Sequence, residues 1–249
     1  MSEQTVTAAL IIIGNEILSG RTQDANLTFL AQALNEIGIQ IREVRIVPDA
    51  EADIVEAVNA CRTKFDHVFT TGGIGPTHDD ITSACVAKAF GVPFGRNAEA
   101  ERRLLAYYPP EKVNEARMKM ADTPEGAELI DNPVSVAPGF TIGNVHVLPG
   151  VPSILQAMFH GMKGRLQGGA VVRSRTITLL CPEGDIAVAL GRIQRDWPTV
   201  EIGSYPFMRQ NSFGTSLVLR STDENAIAAA ADAVLAQARE RGVEVLDLF

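Results

Sequence analysis

Val68-Phe69-Thr70-Thr71-Gly72-Gly73-Ile74-Gly75-Pro76-Thr77-His78-Asp79-Asp80-Ile81-Thr82 is the stretch that decides how this 249-residue chain is read. A short apolar and β-branched run leads into three glycines within four positions, two adjacent carboxylates follow, and an apolar segment of helical spacing continues to about Phe90. A strand that ends in a glycine-rich bend and passes into a helix is the first half of a β-α-β unit. Glycines strip side chains from the bend, so its N–H groups can approach an anion. The two aspartates can cap the free amides of the helix or hold a cation beside that anion. The stretch is not a Walker A loop, because no Gly-Lys-Ser/Thr follows, and it is not a dinucleotide GxGxxG fingerprint.

The same alternation extends outward from it. Val6–Ile13 is a continuous apolar run, the pattern of a strand buried on both faces of a parallel sheet. Residues 25–37 carry Leu27, Leu30, Ala31, Leu34 and Ile37 at helical spacing, with Asp24 as N-cap and Gly38 as terminator. Ile39–Val47 reads as a second strand, residues 50–63 as a second helix, and His67–Thr71 as the third strand. Helices are expected at 81–90, 97–107 and 111–120, the last two separated by Pro109-Pro110. Residues 134–136, 140–142 and 145–148 are short strand signals, with a tight turn at Gly143-Asn144. Pro149-Gly150-Val151-Pro152 then opens a helix to about Met162. Alternating strands and helices predict an α/β fold, a three-layer αβα arrangement around a mainly parallel sheet. Ligands of such sheets sit beyond the carboxyl ends of the strands.

Glycines cluster with basic residues between 161 and 173, which marks a boundary: one domain over 1–165 and a second over 172–249. In the second, strands at 174–180, 201–206, 216–220 and 243–247 alternate with helices at 185–196 and Glu224–Glu240. The order βαββαβ fits a small ferredoxin-like α+β sandwich. Its central loop, 207–214, offers Arg209, Gln210 and Asn211 to a partner or ligand, although a packing module is the simpler expectation.

Composition narrows the class. Hydrophobic content of 46% and a mean hydropathy of +0.08 describe a folded globular chain. The longest apolar run is too short to cross a bilayer, and the first residues carry no basic or apolar leader, so neither membrane nor export is expected. A net charge of -8 argues against nucleic acid as a partner. Cys61, Cys85 and Cys181 are scattered, which suits free thiols in a reducing cytoplasm. The four histidines show no zinc-type spacing.

Several ordered motifs together resemble a known family: Gly14-Asn15-Glu16-Ile17-Leu18-Ser19-Gly20, Asp24-x-Asn26, Val47-Pro48-Asp49, the glycine-rich stretch through Asp79-Asp80-x-Thr82, Pro124-Glu125-Gly126-Ala127, Ala137-Pro138-Gly139-Phe140 and Pro149-Gly150-Val151-Pro152. The chain is similar to the molybdopterin-binding (MoCF-biosynthesis) domain of the CinA type, the competence/damage-inducible family. The Gly-Gly-Ile-Gly-Pro-Thr-His-Asp-Asp string also resembles the corresponding domain of eukaryotic FAD synthases. The resemblance covers roughly residues 5–165, and the C-terminal part is similar to the KH-like middle domain of CinA proteins.

The resemblance implies a phosphate cradle at Gly72, Gly73, Gly75 and Pro76, extended by Thr77, with further ligand contacts from Gly14, Glu16, Asn26, Pro149 and Gly150. It implies an active-site role for Asp80 and a second acidic position at Asp49. In CinA-type and FAD-synthase-type relatives the domain is associated with metal-dependent pyrophosphate hydrolysis, on ADP-ribose or FAD. The expected activity is therefore a nucleotide pyrophosphatase, with Asp79 and Asp80 holding Mg²⁺, Mn²⁺ or Co²⁺ and Asp49, Glu16 or a second aspartate as the base. Two other readings stay open: a module that binds molybdopterin or a nucleotide without turnover, and a molybdopterin adenylyltransferase-like enzyme. Asp80 and Asp49 could also serve only as helix caps. By resemblance alone, a homo-oligomer is expected.

Overall fold

The computed structural model describes residues 5–209 and 212–246. The chain divides between Ala170 and Val171 into two units, each with its own core.

The first unit opens with β1 (Val6–Ile13), the one-turn α1 (Asn15–Leu18), α2 (Asn26–Asn35), β2 (Ile39–Val47), α3 (Glu51–Arg62), β3 (His67–Thr71) and α4 (Thr82–Phe90). It continues with β4 (Phe94–Arg96), α5 (Ala98–Tyr107), α6 (Glu115–Met118), β5 (Asp122–Pro124), β6 (Glu128–Ile130), β7 (Gly139–Ile142), β8 (Val145–Leu148) and α7 (Pro152–Met162). The main sheet has the order β2-β1-β3-β8-β7-β6. Its first four strands run parallel, and β7 and β6 are antiparallel additions.

The continuous apolar run of β1 has a direct cause. Ala9, Ile11 and Ile13 enter a core with Ile54, Val58 and Val86 from α3 and α4, while Ala8, Leu10 and Ile12 enter another with Leu30, Leu34, Leu155 and Phe159 from α2 and α7. Both faces of the strand are dry, and the three-layer αβα fold follows.

Two local expectations are corrected, and one strand pair is added. Residues 134–136 are a turn and not a strand: the Asn132 carboxamide accepts the Val134 and Ser135 amides at 3.0 Å each and donates to the Ala137 carbonyl at 2.8 Å, an Asx-type turn that outcompetes strand pairing. Residues 111–120 hold only the short α6 between two 3-10 turns, because Asn114 is extended and caps the Arg117 amide. The strands β4 and β5, which no expectation covered, pair antiparallel across the intervening α5 and α6, Phe94 with Pro124 through Arg96 with Asp122. They are too short for a periodic signal.

The second unit comprises β9 (Arg173–Leu179), α8 (Glu183–Asp196), β10 (Glu201–Arg209), β11 (Ser212–Ser221), α9 (Glu224–Glu240) and β12 (Val245–Leu246). Its antiparallel sheet has the order β10-β11-β9-β12, the split βαββαβ arrangement expected. The middle strands reach further than their sequence signal. Met208 pairs with Phe213, and the Phe207 ring covers Gly214, where an added Cβ would lie 2.3 Å from it. The expected loop therefore shrinks; Gln210 and Asn211 lie outside the described residues, as does Asp247 of the expected last strand. The outer edge of β10 is blunted by Gln194, which accepts the Ile202 amide at 3.0 Å and donates to the Val200 carbonyl at 2.7 Å, and by Pro206, which has no N–H. Trp197 packs against the unit's core.

Candidate functional site at the carboxyl end of the parallel sheet

The motifs singled out in the sequence leave the sheet at one end, one after each parallel strand: Gly14 to Glu16 after β1, Pro48-Asp49 after β2, Gly72 to Asp80 after β3 and Pro149-Gly150 after β8. Backbone bonds knit these ends together, with the Gly14 amide on the Val47 carbonyl at 3.2 Å and the Gly72 amide on the Leu148 carbonyl at 3.1 Å.

The glycine-rich turn requires its glycines for space as well as for conformation. Gly72 has φ 100° and Gly73 φ 67°. A Cβ on Gly72 would lie 2.2 Å from the Ile13 carbonyl oxygen, and one on Gly73 would lie 2.1 Å from the Thr82 hydroxyl. That hydroxyl is buried and donates to the Gly72 carbonyl at 3.0 Å, and the Thr82 amide returns to the Gly73 carbonyl at 3.0 Å. Thr82 thus locks the turn to the start of α4. The amides of Gly73, Ile74 and Gly75 donate to no protein acceptor among the described residues, which leaves consecutive N–H groups for an anion.

Neither aspartate expected in catalysis caps the helix that follows it. The Asp80 carboxylate folds back under the turn, where Oδ2 accepts the Thr77 amide at 2.8 Å and the Thr77 hydroxyl. Its Oδ1 has no hydrogen-bond partner among the described residues. Asp49 Oδ2 accepts the Asn15 amide at 2.9 Å, so it caps α1 across the sheet edge and leaves α3 without a side-chain cap. Asp79 is exposed, with the His78 imidazole 3.9 Å away. Pro76 and Thr77 are exposed on the rim, and Glu16 lies exposed in α1 beside Gly14, where its carboxylate would be 2.6 Å from an added Cβ.

Asn26 stands apart from these acidic groups. It is buried (3% exposed), its Nδ2 donates to the Gly150 carbonyl at 2.8 Å, and its Oδ1 is a buried acceptor without a partner among the described residues. Gly150 in turn lies against Gly72, with an added Cβ 3.4 Å from the Gly72 Cα. Asn26 is therefore tied through Gly150 to the glycine turn. Asp24 does not head α2 as N-cap, but its side chain accepts the Leu27 amide at 2.8 Å.

A small cavity of about 80 Å³ adjoins the turn, bounded by Gly75, Asp80, Ser83, Lys119, Asp122 and Phe140. Lys119, from the 3-10 turn after α6, donates from Nζ to the Thr77 carbonyl at 2.7 Å. Asp122 is paired with the Arg96 guanidinium at 2.6 Å. Sequence reading missed Lys119, Asp122 and Ser83, which carry no motif and reach the turn only through tertiary contact. The adjoining loop holds Val136 at φ 67°, a rare conformation for a β-branched residue.

Residues 9–167 match the family described as a probable molybdopterin binding domain, and residues 171–247 match that described as the middle domain of FAD synthase. The chain belongs to the molybdopterin-binding domain family. The crystal structure of CinA from Thermoplasma acidophilum, a protein described as of unknown function, is similar with a TM-score of 0.61 at 34% identity, over 65% of this chain and 99% of that one. A protein of Pyrobaculum calidifontis is 39% identical over 211 residues, 80% of each chain. A probable FAD synthase of Caenorhabditis briggsae is 30% identical over 91% of this chain and 48% of its own length. The chain therefore spans about half of that relative. The first unit is built on a mostly parallel sheet, and the CinA likeness read from the motifs holds at the level of the fold.

Proposed function

We propose that the protein hydrolyses the pyrophosphate bond of a dinucleotide-like ligand, of the ADP-ribose or FAD type, with a divalent cation. One observation carries the reading: a carboxylate, Asp80, is held under a glycine turn whose amides from Gly73 to Gly75 have no protein acceptor among the described residues. The amides suit phosphate oxygens, and the carboxylate oxygen left over would suit a hard cation.

Asp80 and exposed Asp79, both hard oxygen donors, would hold Mg²⁺, Mn²⁺ or Co²⁺. Such a cation supplies charge neutralisation and an acidified water when bound. The turn orients the diphosphate, and Asp49, fixed through one oxygen by the Asn15 amide, keeps the other oxygen to accept the proton of the attacking water. Water adds across the P–O–P bond, so AMP and the second phosphate-bearing half are the products.

The test is release of AMP from ADP-ribose or FAD by purified protein with each of the three cations. Asp80→Asn is expected to lower that rate about a hundredfold or more with the fold intact. An unchanged rate would remove Asp80 from the chemistry.

A second reading has its own support. Among the described residues no three His, Cys, Asp or Glu side chains converge as a ready metal site. Tight binding of molybdopterin or nucleotide without turnover, across all three cations, would make this a holding module.

The proposed protein is also a homo-oligomer and cytoplasmic. Self-association rests on the exposed Leu18, Val44 and Ile46 around the outer strand β2. The compartment rests on three cysteines that are all free and buried. Among the described residues no helix is long and apolar enough to cross a membrane.

A further inference from the structure

We infer that Lys119 is the side chain through which this site selects an anionic ligand, its ammonium binding phosphoryl oxygens that the glycine turn receives on another side. The inference rests on the reading above for the position of the phosphate but not for its hydrolysis. Lys119 reaches across 42 residues of chain to the Thr77 carbonyl, and Thr77 gives both its amide and its hydroxyl to Asp80. Lys119 and Asp80, which both line the cavity beside the turn, are thus connected through Thr77.

The charge of the cavity wall matters for binding. Lys64, Lys88 and Lys163 each hold a carboxylate, whereas Lys112 and Lys119 have none at ion-pair distance among the described residues, and of these two only Lys119 lines the cavity. Asp122, which lines the same cavity, is taken by Arg96. A peptide carbonyl accepts one of the ammonium's three protons and neutralises none of its charge. Lys119 is half-buried, so water does not fully screen it. Beside the carboxylates of Asp80 and Asp79, the cavity therefore holds an ammonium with unspent donors a short way from the free amides of Gly73 to Gly75, an arrangement suited to phosphate.

Titration calorimetry without added metal, using inorganic pyrophosphate, AMP and adenosine as probes, tests this. Lys119→Gln keeps a donor for the Thr77 carbonyl and removes the charge, and Lys119→Arg keeps the charge. Lys119→Gln is expected to weaken pyrophosphate and AMP at least about tenfold and to leave adenosine unchanged, with Lys119→Arg within about threefold of the parent. Equal loss for adenosine would reduce Lys119 to a fastener of the loop and overturn the inference, as would pyrophosphate affinity that no Lys119 variant alters or a parent protein that binds neither anion. Charge-dependent AMP binding with no AMP release from ADP-ribose would keep Lys119 in this role and remove the hydrolase.

Discussion

Two glycines with the same sign of φ separate conformational cost from steric cost. Gly72 has φ 100° and would place a Cβ 2.2 Å from the Ile13 carbonyl, whereas Gly91 has φ 66° and nothing within 4 Å of an added Cβ. Gly91→Ala is expected to cost about 1–2 kcal/mol, the left-handed penalty alone. Gly72→Ala adds a clash with backbone that cannot rotate away, and about 3 kcal/mol or more is expected. Urea midpoints of the two variants at constant m-value check the difference; equal losses would mean that the turn yields. At this scale the sequence was legible for glycines and adjacent carboxylates, whose types announce a bend and an anion. The partners of Asp49 and Asp80 were not legible. Each follows a strand and precedes a helix, the pattern of a cap, yet Asp49 serves α1 and Asp80 serves Thr77.

At the scale of elements, β3, β7 and β8 are joined at the amino end of the sheet by two histidines. His67 Nε2 lies 3.1 Å from the Gln167 carbonyl, which only accepts, so that nitrogen carries the proton and Nδ1 accepts from His146 Nε2 at 3.1 Å. His146 Nδ1 then accepts from the Thr141 hydroxyl at 3.0 Å. This chain of bonds keeps one bare acceptor nitrogen on His146, whose ring is therefore neutral. Burial first, and the His67 charge second, push the His146 pKa from 6.5 down to about 3. The unfolded chain therefore binds a proton that the folded one refuses, and stability is lost as pH falls below 6.5 towards 3. The expected slope from this group is about 1.4 kcal/mol per pH unit. His146→Phe should remove that component from the acid limb of a denaturation-versus-pH curve, although its stability at neutral pH is lower. A slope that persists unchanged would place the acid sensitivity elsewhere.

For the whole molecule, the exposed apolar residues of β2 are the feature an isolated chain explains least. Val44 and Ile46 pair with Leu10 and Ile12 and share their side of the sheet, yet they are 38% and 46% exposed at its outer strand. Ile46→Glu is expected to shift the proposed homo-oligomer towards monomer in light scattering with little change in the unfolding midpoint at low protein concentration. An unchanged mass would show that this face is not the contact. Each unit also closes its own core, Ile177, Leu179, Leu217 and Val234 being among the core residues of the second.

What the sequence determined by itself was the class of fold, because strands buried on both faces must be apolar without interruption and helices must carry a stripe, and both patterns survive in the bare order of residues. It also marked the strand-end loops, where glycine and aspartate have few other uses. The tertiary structure alone decided which loops meet, which carboxylate oxygens stay free, and that Lys119 stands beside the turn. Those outcomes depend on chain segments tens of residues apart packing onto one sheet edge, and no local period or spacing records that.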